Sequence, residues 1–322
     1  MQGVLRKRVA WRWGLIALTV GLTACSSQPP RLDYVPALQT LAELQQSPVD
    51  KRLSGRPLAL AFGGGGVRGY VHLGVIKALD EAGVRADLVT GTSVGAMAAA
   101  LYAAGLSYAQ IESLINALDR GDLVDFSPQK FGFLEHQALA DWVEQATGFQ
   151  RIEALPIPLG ITVTDLQRRE PLLITSGPLG ETVKMSSSVP GSFIPTLTTN
   201  SILVDGGVLN NLPVRFAKAM GAERVIAIDI YCGAQNYPAT NAFGVLFAST
   251  RLQSCALTQS DQQAADILIQ PNFEPENPRS LENRQAAIEA GYQATRQRLP
   301  EILQYVQGLN EPSRSTPVQS KP

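Results

Sequence analysis

Leu88-Val89-Thr90-Gly91-Thr92-Ser93-Val94-Gly95-Ala96-Met97-Ala98-Ala99-Ala100-Leu101 decides the reading of this chain. Asp87 to Thr90 reads as the end of a short apolar strand, and Ala96 to Ala104 has high helix propensity. A strand, a serine held between two glycines and then a helix is the context that a nucleophile elbow requires. Gly91 and Gly95 flank a sharp turn in which side chains would collide, with Thr92 and Val94 on either side of Ser93. The serine is lifted clear of the backbone at a helix N-terminus, where the helix dipole favours a developing anion. The same five residues also suit a plain turn with a helix cap, so their neighbours must decide.

Upstream, Leu58-Ala59-Leu60-Ala61-Phe62 is a continuous apolar run that stops at glycine, the pattern of a buried parallel strand. After it, Val71, Leu73, Val75, Ile76 and Leu79 fit a helix ending near Gly83. Between the two lies Gly63-Gly64-Gly65-Gly66-Val67-Arg68-Gly69. Such a loop brings unobstructed backbone N–H groups to a helix N-terminus and can hold phosphate or an oxyanion. Gly64, Gly66 and Gly69 also fit a dinucleotide fingerprint, but that motif needs an acidic residue at the end of the second strand. Thr90 and the elbow stand there instead, and Asp87 is at the strand's beginning.

Downstream, Ile202-Leu203-Val204 reads as a strand ending in Asp205-Gly206-Gly207. A carboxylate at a strand end sits where α/β sheets place function, although an aspartate there can simply start a turn. Leu159 to Thr164 and Pro171 to Thr175 read as paired strands. Helices over Val214 to Met220, Asn241 to Gln262 and Leu281 to Val306 alternate with strands over Val225 to Ile230 and Ile267 to Ile269. This alternation predicts an α/β fold, a three-layer α/β/α domain over residues 56–307 with a mainly parallel central sheet. Ser186, Ser187 and Ser188 rival Ser93 as nucleophiles but lack the glycine-bounded turn. Asp119 to Gln137 reads as a loop whose Phe126, Phe131, Phe133 and Leu134 either pack on themselves or wall an acyl-chain pocket.

The chain has 322 residues, 45% of them apolar, and a formal net charge of −1, so nothing suggests a nucleic-acid partner. It has two histidines, His72 and His136, and a hydrolase triad in the usual order would need one after the acid. His72 is expected to be packed and His136 to lie at the surface. No metal-ligand cluster is visible, and no cofactor is implied.

Arg6, Lys7, Arg8 and Arg12 precede an apolar run from Trp13 to Ala24, the layout of a secretory signal. Leu22-Thr23-Ala24-Cys25 resembles the lipobox of bacterial lipoproteins. That resemblance implies removal of residues 1–24, acylation of Cys25 and firm membrane anchoring. With Ser26 next, it points to the bacterial cell envelope, at the outer membrane facing the periplasm. Residues 25–55 are then expected to be mainly a tether with one short helix around Val35 to Leu44, and residues 308–322 a disordered tail. Cys232 and Cys255 remain; an oxidising compartment permits a disulfide, and two buried thiols are the alternative.

Taken together, the ordered blocks Gly64-Gly65-Gly66-Val67-Arg68-Gly69, Gly91-Thr92-Ser93-Val94-Gly95 and Asp205-Gly206-Gly207 closely resemble the patatin-like phospholipase family. His72, Gly74, Ser188-Val189-Pro190-Gly191 and Asn211-Leu212-Pro213 are supporting matches, and the resemblance runs from about Leu58 to Leu303. It implies acyl-ester hydrolysis of membrane lipids by a Ser93–Asp205 dyad, with the glycine loop as oxyanion hole. Arg68 would either fix that loop or meet a lipid phosphate. The rival reading is an envelope protein of the same fold that binds lipid or a partner without catalysis.

Overall fold

A computed structural model describes residues 32, 34, 36–47, 49–118, 123–129, 131–233, 241–276 and 281–310. The expected leader 1–24, Cys25 and the end of the expected tail lie outside the described residues.

The sheet is built on β2 (Leu58–Phe62), every residue of which is buried. Its neighbours are β3 (Leu88–Gly91) and β10 (Arg224–Ile228), both parallel to it. β6 (Leu159–Asp165) extends the parallel set beyond β3, and β11 (Ile267–Ile269) extends it beyond β10. Antiparallel β7 (Glu170–Ile174) and then β1 (Leu38–Gln39) close the edge beyond β6. The sheet is therefore mainly parallel at its centre, as the continuous apolar runs of β2 and β10 require.

Alternate residues of the central strands face two separate apolar clusters. Leu58, Leu60, Phe62, Ile226 and Ile228 point into the larger one. It is covered by α2 (Tyr70–Glu81), α3 (Val94–Ala103), α4 (Tyr108–Ala117), α5 (Gln137–Thr147), α6 (Leu179–Ser186) and α9 (Leu281–Asn310). Ala59, Ala61, Val225 and Ala227 face a smaller cluster with Leu212, Val214 and Ala217 from α7 (Val214–Ala219). These are the helix–sheet–helix layers that the sequence predicts. A Ser107–Gln110 capping box forms at the start of α4.

Two expectations change, and the direction of one strand is added. The segment read mainly as tether is folded from Leu38 on: β1 pairs with β7, and α1 (Leu41–Gln46) carries a Thr40–Glu43 capping box and buries Leu44 against Leu173 and Phe216. Leu32 already donates its N–H to Leu197 O at 3.0 Å. The stretch read as a loop holds an antiparallel hairpin, β4 (Asp125–Gln129) and β5 (Gly132–Glu135), whose Phe126 and Phe133 are exposed rather than packed on each other. The strand that ends in Asp205, β9 (Ile202–Asp205), runs antiparallel to β6 and pairs on its other side with β8 (Thr196–Leu197).

That last reversal positions the site. β3 pairs with the first part of β6 and ends with Gly91 opposite Ile161. β9 takes over the same flank of β6 from the other direction and ends with Asp205 opposite Val163. The residues leaving β3 and the last residue of β9 thus meet in one lane, two residues apart along β6, or about 7 Å.

Candidate active site

Ser93 leaves β3 with φ 56° and ψ −126°, a conformation rare for a residue with a side chain. The turn closes because Gly95 lies against β2: a Cβ there would come within 2.3 Å of Phe62 O. Gly91 is equally constrained, since its Cβ would lie 2.5 Å from Gly95 O. The Ser93 N–H donates to Ser186 Oγ at 2.8 Å, and Gly95 N–H donates to Thr92 O at 2.8 Å. Thr92 Oγ1 is tied to Thr162 on β6 and to Asn210 O. The strained serine is therefore held on every side while its hydroxyl stays at the head of α3.

Asp205 is buried, and the Ser93 side chain is near enough to favour its ionised form. Gly207 N–H donates to Asp205 Oδ1 at 2.7 Å. Burial pushes the carboxyl up to about 6; Ser93 and the bond from Gly207 pull it partly back. A carboxylate of this kind is a far better proton acceptor at neutral pH than one in water. Gly206 packs so closely on β6 that a Cβ would meet Thr162 Oγ1 at 2.5 Å.

The glycine loop passes beside this pair: a Cβ on Gly64 would lie 3.3 Å from Ser93 Cβ. Its N–H groups are not equivalent. Gly64 N–H is donated to Asn211 O at 3.0 Å, Arg68 N–H to Gly65 O and Gly69 N–H to Gly66 O. Those three expected oxyanion donors are spent on the loop's own structure, a short 3-10 turn over Gly66–Arg68. Gly65 and Gly66 have no acceptor for their N–H among the described residues. Gly66, at φ +56°, is where the loop needs glycine. Val67 is half exposed beside Ser93.

Asn211, His72 and Arg68 hold the loop in place, together with Glu274, Tyr231 and Arg251, which the sequence reading passed over. Asn211 accepts from Gly64 N–H through its main chain and donates Nδ2 to Gly64 O at 3.2 Å. His72, fully buried as expected, donates from Nε2 to Gly63 O at 2.9 Å. Burial lowers its pKa to about 4, so it is neutral. Arg68 fixes the loop: it donates to Gly65 O, pairs with Glu274 and stacks over Tyr231. Arg251 pairs with the other oxygen of Glu274. Desolvation, and then the neighbouring Arg251 charge, lower the Arg68 pKa.

His136 is not at the surface. It is buried, with its ring against Phe193 and Nε2 donating to Lys184 O at 3.0 Å. Burial pushes its pKa down to about 4. Of the rival serines, Ser186 serves the elbow as an acceptor, and Ser188 donates to Lys184 O. Cys232 and Cys255 are joined in a disulfide, with Cα atoms 5.6 Å apart. Among the described residues there is no cluster of potential metal ligands.

Two cavities meet at Ser93. One, of about 320 Å³, is walled by Leu73, Met97, Leu101, Ile115, Leu139 and Phe193, with Leu123 and Val124 from the start of the hairpin segment. It is almost wholly apolar and suits a hydrocarbon chain. The other, of about 510 Å³, adds Asp205, Asn211, Arg68, Arg251 and Tyr231 to a still mainly apolar lining and is the more polar of the two.

A sequence profile of the patatin-like phospholipase family matches residues 60–218, which contain the elbow, the glycine loop and Asp205. That stretch is similar to a patatin-like phospholipase domain. It is 34% identical over 203 residues to patatin-like phospholipase domain-containing protein 6 of Mus musculus, covering 60% of this chain and 15% of that one. It is 31% identical over 188 residues to lysophospholipase nte1 of Aspergillus fumigatus, covering 56% of this chain and 12% of the other. The chain thus spans a small fraction of these relatives. Among solved structures, VipD from Legionella pneumophila superposes with a TM-score of 0.49 at 17% identity, covering 85% of this chain and 72% of that one.

Proposed function

We propose that the protein hydrolyses acyl esters of phospholipids, lysophospholipids or related lipids through a Ser93–Asp205 dyad. The observation that carries this is a serine on a strained elbow that shares a cavity with a buried carboxylate at the end of a neighbouring strand. A protein that only bound lipid would have no use for that pair.

Ser93 Oγ attacks the ester carbonyl carbon as Asp205 takes its proton. The tetrahedral oxyanion faces the free N–H groups of Gly65 and Gly66 and the positive end of α3. The intermediate collapses, the alcohol leaves with the proton held by Asp205, and the acyl group stays on Ser93. Asp205 then deprotonates a water that attacks the acyl carbonyl; the fatty acid departs and the proton returns to Ser93. The apolar cavity takes the acyl chain, and the more polar cavity takes the alcohol portion. The name of the Aspergillus relative makes a single-chain phospholipid the first natural substrate to test.

We extend the proposal to location: Cys25 is acylated and holds the domain at the periplasmic face of a bacterial outer membrane. The seven residue steps from Cys25 to Leu32 span at most about 25 Å, so the domain would stay close to the bilayer. Loss of metabolic palmitate labelling on Cys25→Ser tests this part.

The enzymatic part is tested with chromogenic esters of graded chain length and with lysophospholipid micelles. Wild type is expected to turn over, Ser93→Ala and Asp205→Asn to fall to background, and a phosphonate to label Ser93. An inert wild type that takes no label, with its fold verified, would leave the binding-protein reading in its place.

A further inference from the structure

Helix α8 (Ala242–Ala264) is mounted inside out. The residues it buries are polar: Arg251, Ser254, Thr258 and Asp261, spaced three, four and three apart on one face. Arg251 pairs with Glu274, Ser254 Oγ donates to Gly207 O at 3.0 Å, and Asp261 accepts from Asn210 Nδ2 and from the N–H of Arg215. The Cys232–Cys255 disulfide fastens the same helix. Turned away from that face, Val245, Leu246, Leu252 and Leu257 are between 50% and 59% exposed among Ser249, Gln253 and Ser260, and Phe247, 52% exposed, stands on the cavity side. From Asn241 to Ser260 the sole charged residue is Arg251, which is buried. The helix also lies beyond residues 60–218, the part matched to the family.

We infer that the outer face of α8, from Val245 to Leu257, is a bilayer-docking surface that seats the catalytic mouth on lipid. The inference rests on the lipid-hydrolase reading above and adds to it where and how the enzyme meets its substrate. The position of the helix argues for a bilayer. Phe247 and Ala248 line the more polar cavity that holds Ser93 and Asp205, so whatever covers this face lies at the mouth of the site. A protein partner or a second copy there would sit across the entrance. A bilayer covers the apolar face and supplies substrate to the same opening. An uncharged helix face gains from burial in the acyl boundary without needing anionic headgroups. Val67, exposed and shared by both cavities, continues the apolar rim.

The test uses the full chain and two sets of variants. In the first, Leu246→Trp is combined with Ser93→Ala and mixed with phosphatidylcholine vesicles containing brominated acyl chains. Tryptophan quenching above that of Ser93→Ala alone, little changed by salt, is expected. In the second, Val245→Ser, Leu246→Ser and Leu252→Ser are combined in the active chain. Turnover of vesicle phospholipid should fall by roughly tenfold or more, while turnover of nitrophenyl butyrate and the melting temperature stay near wild type. Absence of quenching overturns the inference. So does a blue-shifted, concentration-dependent emission without vesicles, which means that a second copy covers the face. If butyrate turnover also falls, the quenching result decides alone. If quenching occurs but the wild type hydrolyses neither ester, the docking surface stands and the hydrolase reading fails.

Discussion

The acid limb of the pH–rate profile should belong to Asp205. Burial raises its carboxyl from the ordinary 3.8 to about 6, which sets the ionised form back by about 3 kcal/mol. The base acts only when deprotonated, so kcat/KM should rise with pH and level off above about 7. Below pH 6 it should fall by about tenfold per unit, leaving roughly a tenth of the plateau at pH 5. Both histidines are neutral and depressed to about 4, so neither produces this limb. The measurement is kcat/KM for a neutral soluble ester from pH 4.5 to 8.5, repeated on His136→Asn. A midpoint near 4 would mean that the carboxyl is not desolvated. A midpoint that moves with the His136 substitution would mean that the base is misassigned. The same shift has a cost in stability. A carboxyl with a raised folded-state pKa favours the folded state less as pH rises from about 4 to 6, and the full deficit remains at neutral pH. Asp205→Asn should therefore be inactive yet more stable than wild type at pH 7, by up to about 3 kcal/mol, with the advantage vanishing near pH 4. Equal melting temperatures at both pH values would contradict the burial argument.

Three further outcomes follow from the geometry. Met97→Trp narrows the apolar cavity beside Ser93 and should shift preference toward shorter acyl esters, read as the ratio of kcat/KM for butyrate and dodecanoate esters. Asn211→Ala removes the bond to Gly64 O and loosens the oxyanion loop; kcat should drop by about tenfold or more with KM little changed. Cys232→Ser opens a link across 23 residues and should cost about 3 kcal/mol, seen as a lowered denaturant midpoint and reproduced by reductant on the wild type.

The elbow and the glycine loop were legible because glycines there answer to local collisions that sequence reports directly. Gly91 and Gly95 are small because backbone passes within contact of them, and β2 reads as apolar throughout because both its faces are covered. What depends on distant partners was not legible. Nothing in Ile202-Leu203-Val204 reveals that β9 runs against β6, since direction is set by how the chain returns. The spent N–H of Gly64 depends on Asn211, far along the chain. His136 looked like a loop residue because its burial comes from Phe193 and α6, not from its own neighbours. α8 defeats periodicity outright: apolar spacing would turn Val245, Leu246 and Leu252 inward, whereas the polar face is the one held by partners.

The inverted helix and the catalytic pair are parts of one arrangement. Ser254 on α8 holds Gly207 O, and Gly207 N–H holds Asp205 Oδ1. Arg251 on the same helix holds Glu274, which holds Arg68, which donates to Gly65 O in the oxyanion loop. The polar face of α8 therefore reaches both the base and the oxyanion donors through short chains of hydrogen bonds, while its apolar face meets solvent. A helix attached by polar bonds and one disulfide, rather than by a hydrophobic seam, adds little apolar burial to the folded state. Its apolar residues remain available for burial elsewhere. If lipid covers that face, the same contact that delivers substrate also steadies the helix on which Gly207 and Arg68 lean. Soluble esters should then be hydrolysed more slowly in buffer than in the presence of non-hydrolysable diether phospholipid vesicles, and the increase should disappear in the Val245→Ser, Leu246→Ser, Leu252→Ser chain. An identical rate with and without vesicles would mean that docking delivers substrate but leaves the site itself unchanged.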